Sequence, residues 1–187
     1  MKITFLGGGN MANALIGGML KQGIAASGIT VIDPGSAARA KLAKTYAVDC
    51  RESAEMLDNP GDLLVLAVKP QQMKEAAAPL IGKLGNAVVV SIAAGLDLAT
   101  LSRFLGGHRK IVRCMPNTPA LIGAGITGLC ALPEVGPDER ATADRILRAV
   151  GSTLWIDDEG KMDGVTALSG SGPAYVFLFI EALQQAA

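Results

Sequence analysis

The sequence has 187 residues, with 17 Lys and Arg against 17 Asp and Glu, 50% hydrophobic residues, only 4% aromatics and a mean hydropathy of +0.36. Such a length holds one sizeable core, or one domain with part of a second, and charges that balance without forming runs leave no electrostatic footprint for nucleic acid or an anionic membrane. A core so poor in aromatics must be built from Ala, Val, Ile, Leu and Met, as in a parallel sheet buried under small-residue helices.

The first predicted element is a strand, Lys2 to Leu6, whose apolar run is too short for a signal peptide. Directly after it, Gly7-x-Gly9-x-x-Ala12 opens a helix over Asn10 to Gln22. In that setting the first Gly permits a tight turn and the second lets backbone approach a pyrophosphate. The small third residue brings helix against strand, and the helix N-terminus offers free N–H groups. The plain alternative is a glycine turn that only joins strand to helix. Gly17 and Gly18 argue against it, since each costs roughly 1 kcal/mol in a helix interior unless close packing requires it.

A second strand, Ile29 to Asp33, ends in a carboxylate placed to bond the adenosine ribose hydroxyls, which favours NAD. Ser36 and Arg39 follow at the start of a helix over Ser36 to Thr45, and together suit a 2′-phosphate, which favours NADP. Asp33 and Ser36 also fit as plain helix caps, so the nucleotide stays open between NADPH and NADH.

Strands over Leu63 to Val68, Ala87 to Ile92 and Lys110 to Cys114 alternate with helices over Gln71 to Leu84 and Leu98 to Phe104, the pattern of βα units. Ligands collect at the carboxyl ends of such strands. There Lys69 is a cation beside Pro70, suited to a ribose or a substrate carboxylate and equally to solvent. Ala93, Ala94 and Gly95 suit backbone packed against a flat ring. Pro116 and Pro119 bracket Asn117 and Thr118, polar groups available to the nicotinamide or the substrate. His108 lies in a turn-like stretch and is expected to be solvated. Cys50, Cys114 and Cys130 show no CxxC spacing, so neither a disulfide framework nor a zinc site is expected, and Cys114 reads as a packing residue.

Two later strands, Ile126 to Leu132 and Thr153 to Ile156, are expected as antiparallel additions. The helix between them spans Asp138 to Val150, with Asp138 as its N-cap and Ala143, Ile146, Leu147 and Val150 as its apolar stripe. A dinucleotide-binding unit over 1–160 is followed by a unit over 161–187. The latter begins with a short helix, Lys161 to Leu168, breaks at the SGSGP stretch and resumes as an apolar helix from Pro173 to Ala187. No segment reaches the roughly 18 apolar residues of a membrane span, and a reduced, cytoplasmic protein is expected. The final helix is apolar on every side, which demands burial by a partner. No catalytic triad, carboxylate pair or metal cluster is evident, so no metal is expected. Hydride transfer depends mainly on holding cofactor and substrate in register, which can supply roughly 7–11 kcal/mol of the barrier.

These pieces, in this order, resemble the pyrroline-5-carboxylate reductase family: GxGNM at Gly7 to Met11, AVKPQ at Ala67 to Gln71, AAG at Ala93 to Gly95, MPNTPA at Met115 to Ala120 and LSGSGPAY at Leu168 to Tyr175. The resemblance implies an α/β Rossmann fold, a mostly parallel sheet with helices on both faces, followed by the beginning of an all-α dimerisation domain. It implies reduction of 1-pyrroline-5-carboxylate to L-proline, the last step of proline biosynthesis, by hydride transfer from NADPH or NADH. By position, Gly7, Gly8, Gly9, Asn10, Met11, Asp33, Ala67, Val68, Lys69, Pro70, Ala93, Ala94 and Gly95 hold the cofactor, with Ser36 beside its adenosine end. Ser169, Gly170, Ser171 and Gly172 stand near the substrate with Asn117, and the helical unit makes a homodimer or larger homo-oligomer.

Two departures qualify this. Asp33-Pro34 replaces a more polar or basic stretch found in NADPH-preferring members. Family members also run on into a substrate-closing SPGGT-like loop, so the chain is read as cut short of it and no catalytic residue is assigned. Two rivals remain: a β-hydroxyacid dehydrogenase, whose catalytic Lys has no counterpart among Ser169 to Ala187, and a non-catalytic dinucleotide sensor.

Overall fold

The structure, a computed structural model, describes residues 1–186. Eight strands form one sheet in the order β3-β2-β1-β4-β5-β6-β7-β8. They are β1 (Ile3–Leu6), β2 (Ile29–Ile32), β3 (Asp49–Arg51), β4 (Leu63–Leu66), β5 (Val88–Ser91), β6 (Ile111–Met115), β7 (Gly125–Ala131) and β8 (Gly151–Trp155). The first six run parallel. β7 pairs antiparallel with β6 and β8 parallel with β7, so the last two run against the rest, as their position in the sequence suggested.

Period-two alternation divides the core. Ile3, Phe5, Val31, Leu63, Val65, Val88, Val90 and Val112 face one side, against Leu15, Ile16 and Met19 of helix α1 (Asn10–Lys21) and Ala143, Ile146 and Leu147 of a helix over Pro137–Leu147. Leu6, Ile32, Leu64, Leu66, Val89 and Ile111 face the other, against Met73, Ala77, Leu98 and Leu101. Gly18 is required by the first layer, because a Cβ there would lie on the Ala149 carbonyl.

Four elements differ from their predicted form. β3 was not expected; at three residues on the sheet edge, none of them buried, it is too short to show alternation. The helix expected over Gln71 to Leu84 is a 3₁₀ turn (Pro70–Gln72), the short α3 (Met73–Ala77) and a second 3₁₀ turn (Ala78–Leu80), because Pro79 removes an N–H and crowds the preceding turn. Here α2 is Ser36–Tyr46, α4 is Leu98–Phe104 and α5 is Pro137–Leu147, followed by a 3₁₀ turn to Val150. The N-cap of α5 is Gly136 rather than Asp138: Pro137 occupies the first helical position and Glu139 Oε2 accepts the Gly136 N–H at 2.8 Å.

The fourth difference is at the C-terminal end. The SGSGP stretch is no break: α6 (Met162–Val165), a π-helical turn (Thr166–Gly170) and α7 (Gly172–Ala186) follow one another with only Ser171 between the last two. The helical run Glu159–Ala186 is thus long and apolar enough, by length and composition alone, to cross a membrane, contrary to the expectation from the apolar run by itself. The predicted helix to Ala187 and the predicted unit 161–187 include one residue, Ala187, outside the described residues.

Three carboxylates fix the helices, Asp97 by capping α4 and Glu139 and Asp144 by bonds toward the sheet, and each has its pKa lowered. Side-chain and backbone bonds from Thr100 act on Asp97, the N-cap of α4, and the Lys110 ammonium acts on Glu139 at 2.7 Å. Burial opposes ionisation of Asp144, but Thr153, at 2.6 Å, and Arg148 outweigh it. A carboxylate whose folded pKa is depressed stabilises fully above its unfolded value, about 4, and loses that contribution as pH falls through the folded pKa. The unfolding midpoint is therefore expected to stay level down to about pH 5 and to fall below about pH 4. Glu139→Gln and Asp144→Asn are expected to flatten that fall, read by thermal unfolding across a pH series; a midpoint that rises on acidification would contradict the assignment.

Candidate functional site

The strand order reverses at β1, with β2 on one side and β4 on the other, so a crevice opens at their carboxyl ends. Hydrogen bonds lock its floor: the Gly7 N–H donates to the Ile32 carbonyl at 2.7 Å, and the Ala67 N–H to the Leu6 carbonyl at 2.8 Å. Gly7 has φ +104°, and a Cβ there would stand 2.6 Å from the Ala67 oxygen, so no other residue fits. At Gly9 a Cβ would meet nothing within 4 Å. The chain turns tightly at Gly7 and leaves open space over Gly9, the N-cap of α1, where no side chain caps the helix and no acid occupies the first turn. A dinucleotide phosphate fits that cradle, since the first N–H groups of α1 lack intrahelical partners and carry the positive end of the helix dipole.

A cleft of about 700 Å³ extends from this point. Of the sequence-predicted residues, Gly7, Gly9, Asp33, Ala67, Val68 and Lys69 line it. Gly8 joins through its N–H, which donates to Asp33 Oδ2 at 2.7 Å; Asp33 Oδ1 accepts the Gly35 N–H at 2.8 Å. Asn10 begins α1 exposed, Met11 packs on the core, and Pro70 starts the 3₁₀ turn beyond Lys69. Lys69 is exposed and forms no ion pair among the described residues. Ser36, exposed at the start of α2, does not line the cleft, nor does Arg39.

The outer wall, which the sequence reading missed, is formed by Glu52, Ser53, Ala54, Glu55, Gln72 and Glu75. The first four follow the unexpected β3, Gln72 ends the 3₁₀ turn before the shortened α3, and Glu75 belongs to α3. Their one visible signal was Ser53, whose hydroxyl accepts the Glu55 N–H at 3.2 Å and starts a turn after the β3 run.

On the β5–β6 side, the Ser91 hydroxyl accepts the Ala93 N–H at 3.4 Å and Gly95 has φ +74°, bending the chain so that Ala94 and Gly95 are exposed. The Asn117 side chain is turned inward: its Oδ1 accepts the Ile126 N–H at 2.9 Å, leaving only its amide N–H groups for a ligand. Ser169 donates to the Val165 carbonyl within the π-helical turn, and the Ser171 N–H reaches the Thr166 carbonyl. This turn lies against the end of β6, where a Cβ on Gly170 would meet Met115 at 2.8 Å. The structure thereby joins the MPNTPA and SGSGP motifs. Ser169 to Gly172 and Asn117 are not among the residues lining the cleft over Gly9.

Glu159 holds this second assembly. Its Oε1 accepts both the Leu98 N–H at 2.8 Å, at the start of α4, and the buried Arg113 guanidinium at 2.8 Å. Burial pushes the thiol of Cys130, the β7 residue paired with Arg113 of β6, up to about 11, and raises the fully buried Cys114 thiol well above its usual value. Neither is a thiolate at neutral pH. His108, expected in solvent, is half-buried, with Nε2 2.9 Å from the Ala87 carbonyl. Among the described residues no group of three His, Cys, Asp or Glu side chains could hold a metal.

Residues 2–95 match the family model described as NADP oxidoreductase, coenzyme F420-dependent, and residues 159–187 match that of pyrroline-5-carboxylate reductase dimerisation. A pyrroline-5-carboxylate reductase from Pseudomonas aeruginosa is 47% identical, the match covering 99% of this chain and 68% of the relative. The chain belongs to the pyrroline-5-carboxylate reductase family. A pyrroline-5-carboxylate reductase structure from Coxiella burnetii superposes with a TM-score of 0.91 at 38% identity, over 99% of this chain and 69% of that one. The Plasmodium falciparum enzyme, solved with NADP bound, gives 0.87 at 33% identity over 100% and 68%. Family membership makes the chain an oxidoreductase of the Rossmann type, and the dimerisation match falls on the helix whose Tyr175 to Ile180 are all exposed.

Glu159→Ala leaves a buried guanidinium without its carboxylate and the Leu98 N–H without its acceptor. A loss of about 2–3 kcal/mol is expected, below the full cost of breaking a buried pair because Glu159 is partly solvated. Urea unfolding measures it; a change under about 0.5 kcal/mol, the range of ordinary surface substitutions, would show that the pair anchors nothing.

Proposed function

We propose that this chain provides the nucleotide cleft and the adjoining substrate wall of an NAD(P)H-dependent reductase that converts 1-pyrroline-5-carboxylate to L-proline. The cradle at Gly7 to Gly9 carries the reading, because only a close backbone turn beside open space at a helix N-terminus explains both glycines. The nicotinamide cofactor, when bound, supplies the hydride that saturates the C=N bond.

Every other contribution belongs to the chain. Gly9, Asn10 and Met11 present backbone N–H groups to the pyrophosphate, while the Gly8 N–H holds Asp33, which stands at the ribose. Ala67, Val68, Lys69 and Pro70 wall the cleft from the β4 side. Ala93, Ala94 and Gly95 give a side-chain-poor surface on which a ring lies flat. Ser169 to Gly172 and the Asn117 amide face the substrate, with Met115 fixing their position. A protonated cyclic imine already accepts hydride well, so the chain's chief task is register, consistent with a site holding no thiolate.

The domain division falls near residue 160, just after the Glu159 anchor. The exposed apolar face of α7 serves self-association rather than membrane insertion, and the protein works in the cytoplasm without nucleic acid. Purified full-length protein is expected to oxidise NADPH or NADH only when 1-pyrroline-5-carboxylate is present, followed by nicotinamide absorbance. Nucleotide binding without imine-dependent oxidation would sink the enzyme reading in favour of a dinucleotide sensor. Gly9→Val, which fills the open space, is expected to weaken nucleotide binding at least about tenfold, measured by titration, while shifting stability by no more than about 1 kcal/mol.

A further inference from the structure

The adenosine end of the cleft is walled by carboxylates, and its nearest cation lies behind them. Asp33, Glu52 and Glu55 line the wall; Arg39 does not. The Arg39 guanidinium turns back onto its own chain, its Nη1 donating to the carbonyls of Asp33 at 2.7 Å and Pro34 at 2.8 Å. Its Nη2 lies 3.4 Å from Glu52 Oε2. The Glu52 side chain is 71% exposed and that of Arg39 only 20%. A ligand entering here therefore meets the Glu52 charge before it meets the Arg39 charge. Both oxygens of Asp33 already accept backbone N–H groups, from Gly8 and Gly35, so this carboxylate is held in place as an acceptor.

A nucleotide with a free 2′-hydroxyl brings a donor to this wall. One with a 2′-phosphate brings close to two negative charges, and the guanidinium behind this wall, Arg39, is paired with Glu52. We propose that Glu52 sets the nucleotide preference of this site: by pairing with Arg39 from the cleft side it disfavours a 2′-phosphate and tilts binding toward NADH. The first turn of α2 opposes it, since it contains no acidic side chain and its N–H groups attract phosphate. The discrimination contributed by Glu52 is accordingly modest, on the order of threefold to fivefold, as for other exposed charge pairs. Glu55, on the same wall, adds to the repulsion without touching Arg39.

This inference rests on the nucleotide reading of the cleft. It is tested by titrating the full chain with NADPH and NADH, and with adenosine 2′,5′-bisphosphate and 5′-AMP as probes of the adenosine end alone. Glu52→Gln is expected to shift the ratio of dissociation constants toward the 2′-phosphorylated member of each pair by about threefold to fivefold at low salt, and less at high salt. Glu52→Ala should shift it in the same direction, because the charge and not the shape is responsible. Adding Arg39→Gln to either variant should abolish the shift, since the freed guanidinium causes it. An unchanged ratio in both Glu52 variants, with nucleotide still bound, overturns the proposal alone. Failure of the unsubstituted chain to bind any of the four probes overturns the nucleotide reading and this inference with it.

Discussion

The site depends on one close backbone approach, that of Gly7 to the Ala67 carbonyl. With a side chain at Gly7, β1 could not end where it does, its N–H could not reach Ile32, and the ends of β1, β2 and β4 would separate. Because they are locked, Asp33 lies within reach of the Gly8 N–H, and one short loop joins three strand ends into a single rigid floor. The crevice follows from topology, but its depth and its free helix N-terminus follow from that glycine. Gly18 repeats the logic one layer down, bringing α1 against the 3₁₀ turn at Ala149 and fixing the helix that presents the cradle.

A second constraint works across the other half of the sheet. Arg113 is buried in β6, and a buried guanidinium without a partner is costly. Glu159 relieves that cost and in doing so fixes the start of the long helix against both β6 and α4. Four residues of regular helix later the chain widens into a π-helical turn, an arrangement often found at functional sites. The widening carries Gly170 onto Met115, so one ion pair and one glycine contact decide where the SGSG backbone stands relative to β6.

Much of this was legible in the sequence because it rests on patterns of period two and on glycine. The apolar runs fixed the parallel strands, and strand-glycine-helix order located the cradle. What escaped depended on contacts distant in the chain. β3 is three residues stabilised by pairing with β2, and without it the acidic wall at Glu52 and Glu55 could not be foreseen. Ser-Gly-Ser-Gly-Pro has the composition of a break, yet Met115 packing and the π-type bond from Ser171 to Thr166 keep it helical. Asn117 was legible as a polar residue held between prolines, but not its commitment to the Ile126 N–H. Arg39 looked like a phosphate ligand because sequence shows a cation and not the carbonyls it turns to.

The remaining feature is the helix that projects from the anchored end. Tyr175, Val176, Phe177, Leu178, Phe179 and Ile180 occupy consecutive positions, and each is at least 45% exposed. Consecutive residues on a helix point about 100° apart, so these six cover its whole circumference and leave no polar stripe for solvent. One flat surface covers only about a third of such a helix, so a partner laid along one side would leave most of the apolar area wet. The helix must instead be surrounded, as a core helix is in a bundle, which suits the dimerisation family that matches this segment. Glu159, Met162 and Val165 tie its base to the sheet, so that surrounding assembly and the Arg113 anchor together set the angle at which the SGSG turn meets the cofactor side.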